Sequence, residues 1–285
     1  MMKLRTVTMD FLKKTYPRRE KWSHKGDSGR VLIIGGSRRY RGAPALCGLA
    51  ALRSGCDIAT IAAPESAVDV ISSFSPNLIT EPLVGDYINI GDLEKLISLS
   101  KKFDVILIGN GMGRMVGSRD TVLELLSAVR KPCIIDADAL HMVSENKKLL
   151  RPGWILTPHE YEFQNLSGVK VPRQLEKRAG EVVKFSKSYR STVLLKGHID
   201  VIAESGKVFI NSTGNPYMTV GGTGDVLAGI CAAFLGGGMT SLNAAAAAAF
   251  VSGAAGDLAA KDIGPGLMAT DVIEKIPAVM KEAVL

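Results

Sequence analysis

The stretch NPYMTVGGTGDVLAGICAAFL, from Asn215 to Leu235, changes character at its midpoint. Its core GGTGD, Gly221 to Asp225, sets one acid directly after four small residues, and the run from Val226 onward has the look of a buried helix. A glycine loop that runs straight into an apolar helix is a local signature of an α/β protein whose loops feed a ligand site. Gly222, Thr223 and Gly224 can present successive backbone N–H groups. A helix starting at about Asp225 would add its positive dipole end, making an anion site suited to a phosphoryl group in transfer. Asp225 itself has two readings. Aspartate is a favoured N-cap, and an acid beside an anion hole is also where a base for a substrate hydroxyl is needed. Thr223 already offers a capping oxygen, which favours the second.

The surrounding chain has the matching periodicity. RVLIIG (Arg30 to Gly35), DIATIAA (Asp57 to Ala63), DVILIG (Asp104 to Gly109), PCIIDA (Pro132 to Ala137), GWILT (Gly153 to Thr157) and TVLLKG (Thr192 to Gly197) are short apolar runs. Segments of helical spacing such as APALCGLAALRSG and SRDTVLELLSAVR separate them. Strands apolar on both faces and separated by helices predict a mostly parallel sheet covered on both sides. HIDVIAES and GKVFINS follow TVLLKG with only a tight turn between them, which predicts an antiparallel edge. Two further helices follow the opening stretch, and the Ala-rich one, SLNAAAAAAFVSGAAGDLAAK, must pack closely, within the chain or between subunits. No linker or repeat divides residues 1–285, so one domain is expected, with residues 1–22 as an N-terminal arm or cap.

Composition excludes some functions. The chain is 46% hydrophobic and 22% charged, which argues against disorder. Its net charge of +7 raises nucleic acid as a ligand. The cations are scattered without interleaved aromatics, however, and an anionic small molecule accounts for them as well. Four cysteines in apolar surroundings, none in C-x-x-C spacing, are expected as buried free thiols. There is no signal peptide and no apolar run judged long enough to cross a bilayer, so a cytoplasmic protein that binds no membrane is expected.

In parallel α/β sheets ligands bind beyond the carboxyl ends of the strands. Those ends carry GGSRRYRGA, GNGMGR, DADAL, TPHEYEF and KGHID. Neither a Walker loop nor G-x-G-x-x-G occurs after the first strand, so a P-loop kinase and an ordinary dinucleotide dehydrogenase both fit poorly. Lys196 could neutralise a diphosphate or could be a surface lysine. His159 alone reads as a hydrogen-bonded strand-end histidine. Asp136 and Asp138 could serve a magnesium ion or act as turn and cap residues.

NSTGNPYMTVGGTGDVLAG resembles the signature of the ADP-dependent NAD(P)H-hydrate dehydratases of the ribokinase-like superfamily. SHKGDSGRVLIIGGS, GAPALCGLAALRSG, DADAL, LTPHEYEF and LLKGHIDVIA resemble that family's other blocks in the same order, so the resemblance spans nearly the whole chain. It implies a ribokinase-like three-layer sandwich, mostly parallel with helices on both faces and an antiparallel edge. It also implies a repair reaction: ADP phosphorylates the 6-hydroxyl of the S epimer of hydrated NADH or NADPH, and phosphate is then eliminated. The products are the reduced cofactor, AMP and phosphate.

By that resemblance Asp225 is the base, and Gly222, Thr223 and Gly224 form the anion hole. Lys196, Gly197, His198, Ile199, Asp200 and Gly224 hold the adenine nucleotide. Ala43, Gly111 and His159, with Asp225, contact the hydrated dinucleotide, and His24, Lys25 and Gly26 are candidates to close over the site. Mg2+ is the implied cofactor. A separate epimerase is the expected pathway partner, because the chain begins too close to SHKGD to contain one, and a homo-oligomer, for example a homotetramer, is the expected assembly. The chain departs from the family pattern at Asn110, where proline is usual, and at Glu160 and Tyr161, where Pro-Gly is common. These changes are expected to alter loop stiffness without touching the anion hole or Asp225. The alternatives are a ribokinase-like kinase for a hydroxymethylpyrimidine or hydroxyethylthiazole precursor, and a nucleotide-binding regulator without catalysis.

Overall fold

The computed structural model describes residues 2–284. Its strands are β1 (Leu4–Thr6), β2 (Arg30–Ile34), β3 (Ile58–Pro64), β4 (Ile79–Leu83), β5 (Val105–Ile108), β6 (Cys133–Ile135), β7 (Ile155–Leu156), β8 (Thr192–Leu195), β9 (Asp200–Glu204) and β10 (Lys207–Asn211). They form one sheet in the order β1-β10-β9-β8-β7-β6-β5-β2-β3-β4. From β4 across to β8 every pairing is parallel; β9 is antiparallel to both β8 and β10, as the tight turn predicts.

Alternation along the strands explains the layers. Val31 and Ile33 point into one apolar cluster and Leu32 and Ile34 into the other. Both faces of a central strand are therefore apolar, and each needs a helical cover. The first cluster is covered by α1 (Met9–Thr15), α2 (Gly42–Arg53), α3 (Glu65–Ser73), α9 (Thr223–Gly236), α10 (Ser241–Ile263) and α11 (Ala269–Val284). The second lies under α4 (Leu93–Ser100), α5 (Val116–Ala128), α6 (Asp138–Ser144), α7 (Glu160–Ser167) and α8 (Leu175–Tyr189). Each fully buried Ile or Leu contributes roughly 1.5–3 kcal/mol to holding these layers together.

Two elements escape the apolar pattern because they are edge strands. β4 contains Glu81 and Pro82 and is partly exposed; β1 is three residues long and pairs with β10. The segment before Ser23 thus supplies both an edge strand and helix α1, which packs on the α10–α11 layer. The Ala-rich run is α10, and Ala244 to Ala249 are buried within the chain itself. Ser241–Gly266 has the length and, at 1.2, the mean hydropathy of a membrane-crossing helix, but Asp257, Lys261 and Asp262 interrupt it and 78% of its apolar window is buried inside the protein.

Small residues also set the position of the opening stretch. At Gly229 of α9, a side chain would run into the backbone of Cys47 on α2, so only glycine allows these helices to approach so closely. A Cβ at Gly256 of α10 would strike Met218, and Asp257 accepts from Gly214 N at 3.0 Å and Asn215 Nδ2 at 3.0 Å. The loop leading into α9 is pinned to α10 by these contacts.

Candidate active site

The strand order reverses between β2 and β5, the switch point at whose carboxyl-end crevice open α/β sheets bind their ligands. Gly111 lies there at φ 69, and a Cβ on it would come within 3.1 Å of the Ala43 Cβ. Ser37 Oγ donates to Gly111 O at 2.9 Å and closes the pair of loops. Ala43 and Gly111, read separately from the sequence, are therefore neighbours.

Helix α9 points its first turn at this crevice. It begins at Thr223, two residues earlier than expected, with Gly222 as N-cap at φ 97. This corrects both capping readings. Asp225 is the third helical residue and not the cap. Thr223 does not cap either; its hydroxyl donates to Met218 O at 2.9 Å and Val220 O at 3.1 Å. The amides of Thr223, Gly224 and Asp225 find no acceptor among the described residues, which leaves them free for an anion.

Asp225 faces a second buried acid through one intermediary. Asn110 Nδ2 donates to Asp225 Oδ1 at 2.6 Å and to Asp136 Oδ2 at 2.8 Å. The expectation that Asn110 leaves Asp225 untouched is thereby overturned: the chain turns at the end of β5 and aims the carboxamide into the site. Burial, reinforced by Asp136, pushes the Asp225 carboxyl up to about 7, against the opposing pull of Asn110 and Lys196. A carboxylate with that affinity is able to accept a proton near neutrality.

Asp136, at the end of β6, is 2% exposed. Its Oδ1 accepts from Thr157 Oγ1 at 2.8 Å and from Lys196 Nζ at 3.2 Å. Burial works against the Lys196 ammonium, but Asp136 and Glu162 outweigh it and raise its pKa, so it stays charged. A Cβ on Gly224 would lie 3.5 Å from Lys196 Nζ, which places this charge beside the free amides. Gly197, His198, Ile199 and Asp200 continue from it into β9. Asp200 accepts from Gly197 N at 2.9 Å and Asn211 Nδ2 at 3.0 Å, and burial raises its pKa to about 6. Arg178, which sequence reading missed, donates to Lys196 O at 2.9 Å and fills the space beside Gly197.

His159 caps α7. Its Nδ1 accepts from the Tyr161 and Glu162 amides at 3.2 Å each, while Glu162 Oε2 accepts the His159 N–H at 2.8 Å. That capping box occupies one ring nitrogen, and the other, Nε2, lies 3.5 Å from Glu162 Oε1, so both sides of the ring are held by α7 itself. The loop carrying His159 sits beside the Lys196 segment, since Lys196 N donates to Pro158 O, and among the described residues no backbone hydrogen bond ties it to Ala43 or Gly111. Glu160 and Tyr161 occupy the first turn of α7, and Tyr161 is exposed.

Asp138 accepts from Gly113 N at 2.8 Å and from Arg114 Nε at 3.0 Å. Between the two acids Ala137 adopts φ 49, a conformation that a residue with a Cβ rarely adopts and that stores local strain. Asp136 and Asp138 do not fit as direct magnesium ligands: their oxygens are engaged by the chain's own donors, and the described residues contain no cluster of three metal-ligating side chains.

His24, Lys25 and Gly26 lie elsewhere. They precede β2, and Gly26 N donates to Asp57 at the start of β3, so they sit at the amino edge of the sheet and do not cover the site within this chain. A cavity of about 400 Å³ lined by Tyr16, Arg18, Trp22, Ser54 and Gly237 is also at that edge, away from the converging acids and amides. All four cysteines are free and buried, as expected.

Residues 31–278 match the family profile described as NAD(P)H-hydrate dehydratase. The chain belongs to this family. Within the NAD(P)H-hydrate dehydratase family it is 43% identical over 274 residues to a bifunctional NAD(P)H-hydrate repair enzyme of Methanothermobacter thermautotrophicus, a match covering 93% of this chain and 52% of that protein. It is 38% identical over 283 residues to an ADP-dependent (S)-NAD(P)H-hydrate dehydratase of Cenarchaeum symbiosum, covering 98% of both. The chain thus spans about half the length of the bifunctional relatives it matches. Two solved structures share the fold. One is a ribokinase-like superfamily protein of Enterococcus faecalis, with TM-score 0.87 and 28% identity over 99% of this chain and 97% of that one. The other is an ADP/ATP-dependent NAD(P)H-hydrate dehydratase of Bacillus subtilis co-crystallised with ATP and Mg2+, with TM-score 0.85 and 29% identity over 99% and 100%. The family member described here therefore has the ribokinase-like three-layer fold that its sequence implies.

Proposed function

We propose that this chain, acting as one domain, uses ADP to dehydrate the S epimer of hydrated NADH and NADPH. The observation that carries the reading is the junction at Asp225: a carboxyl poised at about 7, at the mouth of unpaired helix amides, with an ammonium beside them. Asp225 takes the proton of the 6-hydroxyl, and the oxygen attacks the terminal phosphorus of ADP. The amides of Gly222 to Gly224 and Lys196 receive the developing charge, and AMP leaves. The phosphate ester then breaks at its carbon–oxygen bond, driven by the ring nitrogen's lone pair. Loss of a proton from the adjacent ring carbon restores the double bond.

The remaining roles follow the grouping of residues. Lys196 to Asp200 and Gly224 hold the nucleotide; Ala43, Gly111 and Asp225 line the dinucleotide crevice; His159, half-exposed and tethered to Glu162, contacts the ligand from the nucleotide side. Mg2+, bound through the diphosphate and water, would neutralise phosphate charge. An epimerase supplies the S epimer, and the reaction takes place in the cytoplasm. Self-association is supported by exposed Phe74, Ile79, Val84 and Ile90 along the β4 edge.

The test is incubation with hydrated NADH and ADP. Return of the reduced-nicotinamide absorbance with release of AMP and phosphate is the expected result. A phosphorylated product that persists would overturn the reading in favour of a small-molecule kinase.

A further inference from the structure

Asn110 is fully buried in the loop after β5, and its Nδ2 lies within 2.8 Å of Asp136 and 2.6 Å of Asp225. A carboxamide nitrogen has two hydrogens, so each acid receives one. With the nitrogen held between two carboxylates, the oxygen must face the other way, and Asn110 Oδ1 is buried without a partner. An orphaned acceptor costs stability. The cost is offset only if the other end of the group does something that packing alone would not require.

We propose that Asn110 is a positioning residue that orients Asp225 and keeps it in its charged, proton-accepting form by donating one amide hydrogen to each of two converging carboxylates. The charged and titratable groups facing Asp225 come from several elements. Asp136 and Asp138, around the start of α6, disfavour its charge; Lys196 at the end of β8 favours it. The buried Cys47 thiol of α2 also feels Asp225, and Glu162 of α7 and Cys231 of α9 act on the Asp136–Lys196 pair. Among these neighbours Asn110 is the donor bonded directly to Asp225, so its removal raises the carboxyl further.

The proposal rests on the dehydratase reading for its kinetic test and is independent of it for its spectroscopic one. In the pH profile of kcat/KM the wild-type acid limb is expected near pH 7, where burial and Asp136 put the Asp225 carboxyl. Asn110→Ala and Asn110→Pro move that limb up by about one pH unit. Turnover then falls about tenfold at pH 6 and less than twofold at pH 9. Proline is tolerated by the loop's hydrogen bonds, because the Asn110 N–H has no acceptor among the described residues. A limb that stays in place while the plateau drops would overturn the proposal and leave Asn110 a packing role. The second readout is the 13C carboxyl titration of Asp225 in the protein without substrates, identified by its absence in Asp225→Asn. The same upward shift in both Asn110 variants is expected, and an unchanged midpoint would overturn the proposal. Wild-type protein that fails to dehydrate hydrated NADH would overturn the function while the titration still decides the role of Asn110.

Discussion

Two partly buried aspartates at opposite edges of the sheet show how surroundings assign a role to the same side chain. Asp57, at the amino edge, has a side chain 8% exposed and is saturated with donors: Gly26 N at 2.8 Å, Ser28 N at 3.0 Å and Arg19 at 2.7 Å. Burial pushes its pKa up, but these donors outweigh burial and hold it below the ordinary carboxylate value. Asp225, at the carboxyl edge, has one side-chain donor and a second acid close by, and its pKa rises to about 7. A saturated acid is a structural tie. An under-supplied acid can accept a proton near neutrality.

The comparison can be broken most sharply at Asp225. Asp225→Asn should lower kcat by a thousandfold or more while calorimetry still registers ADP binding. The same change should raise the melting temperature at pH 8 by about 3 °C or more. The sign follows from linkage. A carboxyl whose folded pKa is raised costs stability increasingly as pH climbs from its ordinary value to about 7, so the gain should disappear toward pH 4. Equal turnover in the variant would remove Asp225 from the mechanism.

Lys196→Ala should cost roughly a hundredfold in kcat/KM, since it strips the ammonium from the anion loop and leaves Asp136 unpaired. Its acid limb should also move to higher pH. Asp57→Asn tests the other edge: turnover within about twofold of wild type, and a stability loss of roughly 1–3 kcal/mol at pH 7 by denaturant titration. A lowered folded pKa contributes stability above the unfolded value and loses it as pH falls through the folded one, so the difference between wild type and variant should close below about pH 4. Loss of activity in Asp57→Asn without loss of stability would end the contrast. Smallest is Thr157→Val, which removes one donor from Asp136 and should cost about 1 kcal/mol.

Much of this arrangement was legible before the structure. The apolar runs from Arg30 to Gly197 are β2, β3 and β5 to β8, because a strand buried on both faces must be apolar throughout. The glycine loop before α9 announced unpaired amides at the helix start, because only small residues let successive amides face outward. β1 and β4 were not legible, since an edge strand buries too little to need a pattern. The start of α9 was misplaced by two residues because Gly222, which looks like loop, is the cap. Asn110 read as a change of loop stiffness, since a lone polar residue in a glycine loop carries no sign of what it will face. His24 to Gly26 were expected over the site because chain order does not reveal which end of a strand a segment occupies.

The sequence by itself determined the layers, the direction of the sheet, the family and the acid at the helix start, because these depend on local spacing and on motifs contiguous in the chain. Only the tertiary structure decided which groups meet. Asn110 and Asp225 are 115 residues apart and bonded, and Asp136 and Lys196 are 60 apart and paired. The affinity of Asp225 for a proton is set by those distant groups and by burial, and the spacing along the chain encodes neither.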